Sequence, residues 1–291
     1  AELGYRPNLL ARSLTTRRTN IVGLVVDEME NPNILQVLDG VTKRLQRRGY
    51  MSMLLNIATD DSHHSALSLA DQFQVDGLIF LGTLLNDELL QLAQEIRNIP
   101  LIVLYRNSDN PNIHVVTTDG YQAGIEIACL FAEQGYRRIG YMSGPHSEST
   151  QLKRLEGFRD GLEAKGIAVG PILQAGHYQR PSGFRAMNRY LDGTPPHERI
   201  EAIFCENDIL AFGALDAMRT RAESTSIAVV GFDDIELAAT PCYDLTTYSQ
   251  PLDILVNEAI RRLTSEDRSP SRFLAPGTLV LRTSHLRKQS T

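Results

Sequence analysis

The sequence lacks the features that mark membrane, metal-binding or exported proteins. Its 291 residues contain no uninterrupted apolar run of about 18 residues, so no membrane-spanning helix is expected. Cys129, Cys205 and Cys242 are an odd number of cysteines at wide spacing, without a metal-binding pair among them. The N-terminal residues are basic and polar, so no signal peptide is predicted. These absences favour a reduced, cytoplasmic, globular protein.

The motifs of several enzyme classes are also missing. The sequence has no dinucleotide-binding G-x-G-x-x-G, no Walker phosphate loop, no H-E-x-x-H zinc motif and no G-x-S-x-G nucleophile elbow. The carboxylates of Asp233 and Asp234, or of Glu206 and Asp208, could in principle bind a metal or act as acid and base, but no partner spacing supports either role. No catalytic residue, metal or cofactor is therefore predicted.

Charge is distributed unevenly along the chain. Residues 1–20 carry four arginines against one glutamate, a balance of +3 in a chain of formal net charge -6, so the other residues carry -9. A basic arm on an acidic body fits a protein that contacts DNA at one end only. Charge by itself would favour the alternative, a solvated terminal tail.

Short apolar runs alternate with longer amphipathic stretches. Strands are predicted at 21–26, 51–57, 77–81, 101–105, 113–117, 138–142, 202–205, 227–232 and 278–282. Helices are predicted at 33–48, 62–73, 85–97, 120–134, 150–165, 182–191, 207–221 and 251–264. Several strands are continuous apolar blocks, as expected for strands buried on both faces. Repeated strand–helix units predict an α/β fold with parallel sheets, and the number of strands favours two lobes.

A series of short motifs runs in order through the whole chain. They are Tyr5-x-Pro-Asn-x-x-Ala-Arg-Ser-Leu14, Val22-Gly-Leu, Asn31-Pro32, Val75-Asp-Gly-Leu78, Thr118-Asp119, Gly135-Tyr-Arg-Arg-Ile-Gly140, Gly144-Pro145, Arg154-Leu-Glu-Gly-Phe158, Phe204-Cys-Glu-Asn-Asp208, Val230-Gly-Phe-Asp-Asp234, Leu245-Thr-Thr and Gln250-Pro251. Their joint order and spacing resemble the lactose-repressor/galactose-repressor (LacI/GalR) family of bacterial transcription factors. In that family a helix-turn-helix reads DNA, a hinge helix enters the minor groove, and a core senses a small molecule. The resemblance implies that this chain is such an effector-binding core, without the helix-turn-helix.

The resemblance also implies the domain organisation. The expected fold is a pair of doubly wound parallel-sheet lobes with a ligand cleft between them, as in periplasmic binding proteins. Crossings between the lobes are predicted at 135–138, 247–251 and 270–272. The predicted divisions are a hinge segment at 1–20, an N-terminal lobe at 21–136 plus 250–268, and a C-terminal lobe at 137–249 plus 269–291.

The N-terminal segment is where the resemblance implies DNA contact. Leu14 would wedge between base steps in the minor groove, and the small Ala11 would allow a close approach. Arg12, Arg17 and Arg18 would face phosphates, which contribute affinity but little sequence information. The alternative is an ordinary N-terminal helix that buries Leu10 and Leu14 against the body of the protein.

Effector contacts are expected beyond the carboxyl ends of the strands, where doubly wound sheets bind ligands. The candidates are Asp27, Asn33, Ile34, Thr83, Asp119, Arg154, Tyr178, Asn207, Asp208, Asp233 and Gln250. The resemblance implies that Arg154 places its guanidinium fork on two hydroxyls or a carboxylate, and that Asp233 accepts hydrogen bonds from sugar hydroxyls. Asn207 would both donate and accept, and Gln250 would contact the ligand or a crossing strand. Tyr178 would stack on a ring face, or lie at the rim without a ligand role.

Several of these candidates also have purely structural explanations. Asp119 and Asp208 could cap the helices that follow them. Asp233 could be a turn residue, and Arg154 could pair with Glu156 or Glu148 on a helix surface. The sequence by itself leaves these alternatives open.

Two departures from the family pattern narrow the effector class. Where purine-sensing relatives carry an arginine this chain has Glu148, and Asp27 replaces a proline that is common in the family. The expected site is rich in carboxylates and amides and has one clear arginine. This inventory favours a neutral sugar, polyol or glycoside as the small-molecule effector.

The resemblance implies two further partners, operator DNA and a second copy of the chain, and no membrane. Ile34, Leu38 and Val41 form an apolar stripe on helix 33–48 that would contact the partner in a homodimer, with core packing as the alternative. Effector binding would then change the spacing of the two hinge segments. The competing functions are an extracytoplasmic sugar-binding protein of a transporter and, less favoured, a sugar-acting enzyme.

Overall fold

The computed structural model describes residues 18–27, 29–57, 60–82, 93, 99–108, 112–145, 152–221, 226–266 and 269–287. Several predicted features lie outside the described residues, namely the hinge contacts Ala11, Arg12, Leu14 and Arg17, the effector candidate Thr83, Glu148, and nearly all of helix 85–97. Of the helices that are described, none is long and apolar enough to span a membrane.

Strands and helices alternate along most of the described chain, as the sequence predicts. The strands are β1 (Ile21–Val26), β2 (Met51–Asn56), β3 (Gly77–Leu81), β4 (Leu101–Leu104), β5 (His114–Thr118), β6 (Ile139–Ser143), β7 (Val169–Gln174), β8 (Ala202–Cys205), β9 (Ala228–Asp233), β10 (Thr246–Ser249), β11 (Arg272–Ala275) and β12 (Thr278–Val280). The α-helices are α1 (Pro32–Arg47), α2 (Asp60–Gln72), α3 (Gly120–Glu133), α4 (Arg154–Glu163), α5 (Arg180–Gly193), α6 (Asp208–Arg219) and α7 (Leu252–Thr264).

The strands form two six-stranded sheets of the same topology. The first has the order β11-β5-β4-β3-β1-β2, and the second has the order β12-β10-β9-β8-β6-β7. β1 pairs in parallel with β2 and β3, and β6 pairs in parallel with β7 and β8. β12 runs antiparallel to β10. The strand order therefore reverses beside β1 and beside β6, which confirms two doubly wound, mostly parallel sheets.

The chain divides into two compact units. Within the described residues, the first unit comprises 18–29, 36–117 and 253–273, and the second comprises 30–35, 118–252 and 274–287. This division differs from the predicted segments at 18–20, 30–35, 118–136, 250–252 and 269–273. Helix α3 belongs to the second unit because Ile127 and Phe131 pack in one core cluster with Tyr141 and Phe204. Residues 269–273 stay with the first unit because β11 pairs with β5.

Helix α1 begins where its sequence signals place it. Pro32 is its first residue, and the Asn31 Oδ1 accepts a hydrogen bond from the Asn33 backbone N–H at 3.1 Å. The side chains of Ile34 and Val41, predicted as part of a homodimer contact, are buried within the chain itself. For these two residues the core-packing alternative is therefore correct.

Three strands were not predicted, each because its sequence carries too weak an apolar signal. β7 lies at an edge of the second sheet and contains Gly170 and Pro171. β10, which reads Thr-Thr-Tyr-Ser and overlaps the predicted crossing 247–251, is almost fully buried between β9 and β12. Its threonine hydroxyls are satisfied inside the core: the Thr247 hydroxyl donates to Asp208 Oδ1 at 2.5 Å, and the Thr246 hydroxyl oxygen accepts from the Arg282 backbone N–H at 2.8 Å. β11, which begins at the last residue of the predicted crossing 270–272, is an edge strand in which Arg272 and Leu274 are exposed and Ala275 is buried.

Candidate functional site

A cavity of about 550 Å³ opens at the point in the second sheet where the strand order reverses. The described residues that line it come from the carboxyl ends of β6, β7 and β8 and from the start of α4: Tyr141, Ser143, Gly144, Pro145, Leu152, Lys153, Arg154, Leu155, Glu156, Arg159, Ile172, Gln174 and Glu206. Ligands of doubly wound proteins bind in this part of the sheet because the strands diverge there and the loops face one crevice. The volume suits a small organic molecule.

Arg154 is the most constrained cation of the cavity. It is the first residue of α4, and its side chain is buried. The guanidinium lies over the Phe232 ring, with Cζ 3.5 Å from the ring centroid, and Nη1 donates to the Glu206 carbonyl at 2.5 Å. The surface ion pair with Glu156 that the sequence left open is not formed, because Lys153 makes that contact at 3.0 Å. Arg154 is therefore positioned by stacking and a backbone acceptor.

Asp233 is a buried acceptor at the end of β9. Its Oδ1 accepts hydrogen bonds from Asn33 Nδ2 at 3.1 Å and from Gln250 Nε2 at 2.7 Å. Gln250 is held in turn by the Thr118 hydroxyl, which donates to Gln250 Oε1 at 2.7 Å. The structure thus brings together Asp233, Asn33 and Gln250, three of the predicted effector contacts.

Asp233 is unusual both in its backbone conformation and in the pKa of its carboxyl group. Asp233 and Asp234 have φ angles of 120° and 57°, a region that side-chain-bearing residues seldom occupy and that concentrates at functional sites. Burial raises the pKa of Asp233 to about 7, although the nearby Arg154 charge and the Gln250 hydrogen bond act in the opposite direction. Asp233 therefore both ends its strand in a turn conformation and presents a perturbed acid.

Asp208 has a structural environment different from that of Asp233. It is completely buried, and its carboxylate accepts hydrogen bonds from the Thr247 hydroxyl and, at 3.0 Å, from the Ile235 backbone N–H. Burial and the neighbouring Asp233 charge raise its pKa well above the usual range. These contacts tie the start of α6 to β10 and to the loop after β9.

Two predicted candidates act as helix caps. Asp119 accepts a hydrogen bond from the Gln122 backbone N–H at 3.0 Å and caps α3. At α6 the cap is Asn207, whose Oδ1 accepts from the Leu210 backbone N–H at 3.0 Å, and not Asp208 as the capping alternative had it. Asn207 is nonetheless buried directly beside the cavity residue Glu206.

Tyr178 reaches the site through Glu206. The Tyr178 hydroxyl donates to Glu206 Oε2 at 2.8 Å, and the same oxygen accepts the Gly144 backbone N–H at 2.6 Å. The Tyr178 ring packs so closely on Gly144 that a methyl group there would collide with it. The sequence indicates Glu206 only as a possible acid, base or metal ligand. Its position directly after the apolar β8, next to Asn207, was the signal for a cavity residue.

Asp27 and Ile34 are the remaining described candidates. Asp27 follows β1 in the first unit and lies against the backbone of Gly82, at the end of β3. The Ile34 side chain is buried in the protein interior. In the described part of the chain, no group of three or more His, Cys, Asp or Glu side chains could hold a metal ion.

Comparisons with known proteins give the site its context. A family model described as periplasmic binding proteins and sugar binding domain of LacI family matches residues 19–253. The HTH-type transcriptional repressor PurR of Klebsiella pneumoniae is 31% identical over 269 residues, which cover 90% of this chain and 77% of that repressor.

Solved structures of transcriptional regulators share the fold of this chain. The transcriptional regulator CelR in complex with cellobiose has a TM-score of 0.81 at 28% identity, over 97% of this chain and 87% of that one. A periplasmic binding protein/LacI transcriptional regulator from Alkaliphilus metalliredigens, complexed with D-xylulofuranose, shares the fold with a TM-score of 0.77 at 23% identity, over 92% of this chain and 100% of that one. The chain therefore belongs to the LacI family and is the small-molecule-sensing core of a transcriptional regulator.

Proposed function

We propose that this regulator core senses a neutral, polyhydroxylated small molecule, such as a sugar, polyol or glycoside. The observation that carries this proposal is that Arg154 stacks on Phe232, the residue directly before Asp233, so that one strand end positions both a cation and an acceptor. Arg154 is a fixed fork of N–H donors, of which Nη1 is used for the Glu206 carbonyl. Asp233 is an acceptor whose orientation is set by two amide side chains. Vicinal hydroxyl groups, which donate and accept together, complement such a pair.

Further polar groups at the cavity suit hydroxyls rather than a fixed charge. The Ser143 hydroxyl donates to Gln174 Oε1 at 2.7 Å, and both side chains line the cavity. A bound sugar could exchange hydrogen bonds with this pair without leaving a buried charge unpaired. The cellobiose complex of the related regulator CelR supports the same class of effector.

The full set of proposed effector contacts follows from the sequence. They are Asp27, Asn33, Ile34, Thr83, Asp119, Arg154, Tyr178, Asn207, Asp208, Asp233 and Gln250. Asp233, Asn33 and Gln250 have the most direct support, because both amides donate to the Asp233 carboxylate. Arg154 is supported by its stacking on the adjacent Phe232. Asp119 and Asp208 have complete structural roles of their own, which weakens the argument for a direct contact.

We further propose that the chain acts as a homodimer with operator DNA and catalyses no reaction. The minor-groove contacts of Ala11, Arg12, Leu14 and Arg17 would couple the core to DNA. By linkage, the effector and the operator must change each other's affinity by the same factor. A candidate surface for the second copy is the exposed apolar side chains of the edge strand β2, Met51 and Leu54.

A thermal-shift panel tests the effector class. The compounds are neutral sugars, polyols, sugar acids, sugar phosphates and purines, each titrated against the chain while unfolding is monitored. A ligand that binds only the folded state raises the melting temperature with its concentration. We expect concentration-dependent shifts from neutral sugars or polyols. Shifts confined to purines or sugar phosphates would reject the proposed class, and turnover of a stabilising sugar would reject the absence of catalysis.

A further inference from the structure

The carboxylate of Glu206, directly after β8, is hydrogen-bonded to the end of β6 and to the loop before α5. Its Oε2 accepts the Gly144 N–H and the Tyr178 hydroxyl, and its Oε1 accepts the Tyr141 hydroxyl at 3.0 Å. Tyr141 lines the cavity and is buried by the surrounding protein. Burial and the Glu206 charge raise the pKa of the Tyr141 hydroxyl well above its usual range. Three donors therefore hold this carboxylate in one orientation at the cavity wall.

The charges around the cavity give this carboxylate an electrostatic role. Among the described lining residues, the cations are Lys153, Arg154 and Arg159, and the anions are Glu156 and Glu206. Glu156 is half exposed and forms an ion pair with Lys153, so its charge is compensated by that lysine and screened by solvent. The Glu206 carboxylate is the less exposed of the two anions, and it lines the same cavity as Arg154 and Arg159.

We infer that Glu206 determines specificity in this regulator by excluding anionic effectors from a cavity that would otherwise attract them. The inference rests on the proposed function, because exclusion matters only if the effector is neutral. Without Glu206, three cations would face one exposed carboxylate, a set that favours a phosphate or carboxylate group. With Glu206 present, an incoming anion is repelled by a carboxylate whose orientation is fixed, because three protein donors hold it.

Glu206→Gln is the sharpest test because it removes the charge and keeps the shape. The amide oxygen can still accept from Gly144 and Tyr178, and the amide NH₂ can donate to the Tyr141 hydroxyl oxygen. The charge-matched control is Glu163→Gln, which changes the net charge equally at the exposed far end of α4. Inorganic phosphate and D-glucuronate are the probes, with affinity measured by calorimetry at constant ionic strength.

We expect Glu206→Gln to bind phosphate and glucuronate at least about tenfold more tightly than the wild type, and Glu163→Gln to change less than about twofold. Equal affinities in Glu206→Gln and Glu163→Gln would overturn the inference. If Glu206→Gln fails to fold, Glu206→Ala removes the same charge and is judged by the same comparison. Because phosphate needs no sugar subsite, this result is separate from the neutral-sugar panel, whose failure would overturn the proposed function instead.

Discussion

The Arg154 guanidinium stacks on the Phe232 ring with 3.5 Å between Cζ and the ring centroid. Phe232 immediately precedes Asp233, so the same strand end supplies the platform for the cation and the acceptor beside it. A planar guanidinium gains both from stacking and from a fork of parallel donors, and a lysine ammonium offers neither geometry. The cation of the proposed site and its acceptor are thus both positioned by adjacent residues of β9.

Replacing Arg154 tests this arrangement. We expect Arg154→Lys to weaken binding of the stabilising sugar by about 10- to 100-fold, the effect of losing one or two charge-assisted hydrogen bonds. Calorimetric titration of both proteins measures it. The control is Arg137→Lys, an exposed arginine remote from the cavity-lining residues, which should bind as the wild type does. Equal loss in both variants would show that the effect is not specific to the site.

The raised pKa of Asp233 makes a prediction about stability. With a pKa of about 7 in the folded chain, Asp233 is protonated more readily when folded than when unfolded, where carboxyl groups titrate near about 4. Folding therefore binds a proton between these values, and the contribution of Asp233 to the free energy of unfolding is lost as pH rises through about 7. The loss amounts to roughly 4 kcal/mol, at about 1.4 kcal/mol per pKa unit.

Asp233→Asn removes this titration while keeping an oxygen that can accept from Asn33 and Gln250. We expect the stability of the variant relative to the wild type to increase steadily between about pH 4 and about pH 8. Urea unfolding followed by circular dichroism at several pH values measures the difference. A constant offset across that range would mean that the carboxyl group titrates normally, contrary to its buried environment.

Gly157 on α4 tests how the helix that carries Arg154 is positioned. A Cβ at Gly157 would collide with the backbone carbonyl of Tyr121 on α3. We expect Gly157→Ala to lower the free energy of unfolding by about 1–3 kcal/mol or more, because two backbones must separate. Effector affinity should fall as well, since α4 would carry Arg154 with it. Thermal unfolding and a binding titration measure both effects.

Gly193 is the matched control for that substitution. It is also a helical glycine, at the end of α5, but apart from its chain neighbours and its own helix backbone, no described atom lies within 4 Å of the position that an alanine methyl group would take there. Gly193→Ala should be neutral or stabilising by up to about 1 kcal/mol, because alanine restricts the unfolded chain. Similar destabilisation by both alanines would argue against close helix packing as the cause.

Self-association through the β2 edge is tested with charged substitutions. The side chains of Met51 and Leu54 are 60% and 51% exposed on this edge strand. If a second copy covers them, Leu54→Lys should shift a concentration-dependent dimer to monomer in sedimentation velocity. Leu281→Lys, at a similarly exposed leucine of the second unit, is the control. If the dimer persists in Leu54→Lys and is lost in Leu281→Lys, the two copies do not associate through the β2 edge.

The sequence predicted the strands that are continuous apolar blocks, because burial on both faces leaves a direct signal. β1 and β9 are of this kind, and each lies where the apolar run places it. β10 was missed because its threonine hydroxyls are satisfied by partners distant in sequence, such as Asp208 for Thr247. No local pattern reports a hydrogen bond of that kind.

The same limit applies to the site. Asp233 and Asn207 follow apolar strands and could be found from their positions, whereas the burial of Arg154 could not be read from its helix. Glu206 became a cavity residue only when the topology placed β8 beside β6. The contacts of its carboxylate with Gly144 and Tyr178 span 62 and 28 residues of sequence. Such contacts depend on the strand order, which the sequence pattern leaves open.

The most direct test of the central claim is a calorimetric titration of a stabilising neutral sugar into the wild type, Asp233→Asn and Arg154→Lys, with the corresponding sugar phosphate as the contrasting ligand. We expect one site per chain for the neutral sugar in the wild type, weaker binding in both variants, and no measurable binding of the phosphate. Tight binding of the phosphate alone, or neutral-sugar binding that neither substitution weakens, would contradict a neutral-effector site built on Arg154 and Asp233.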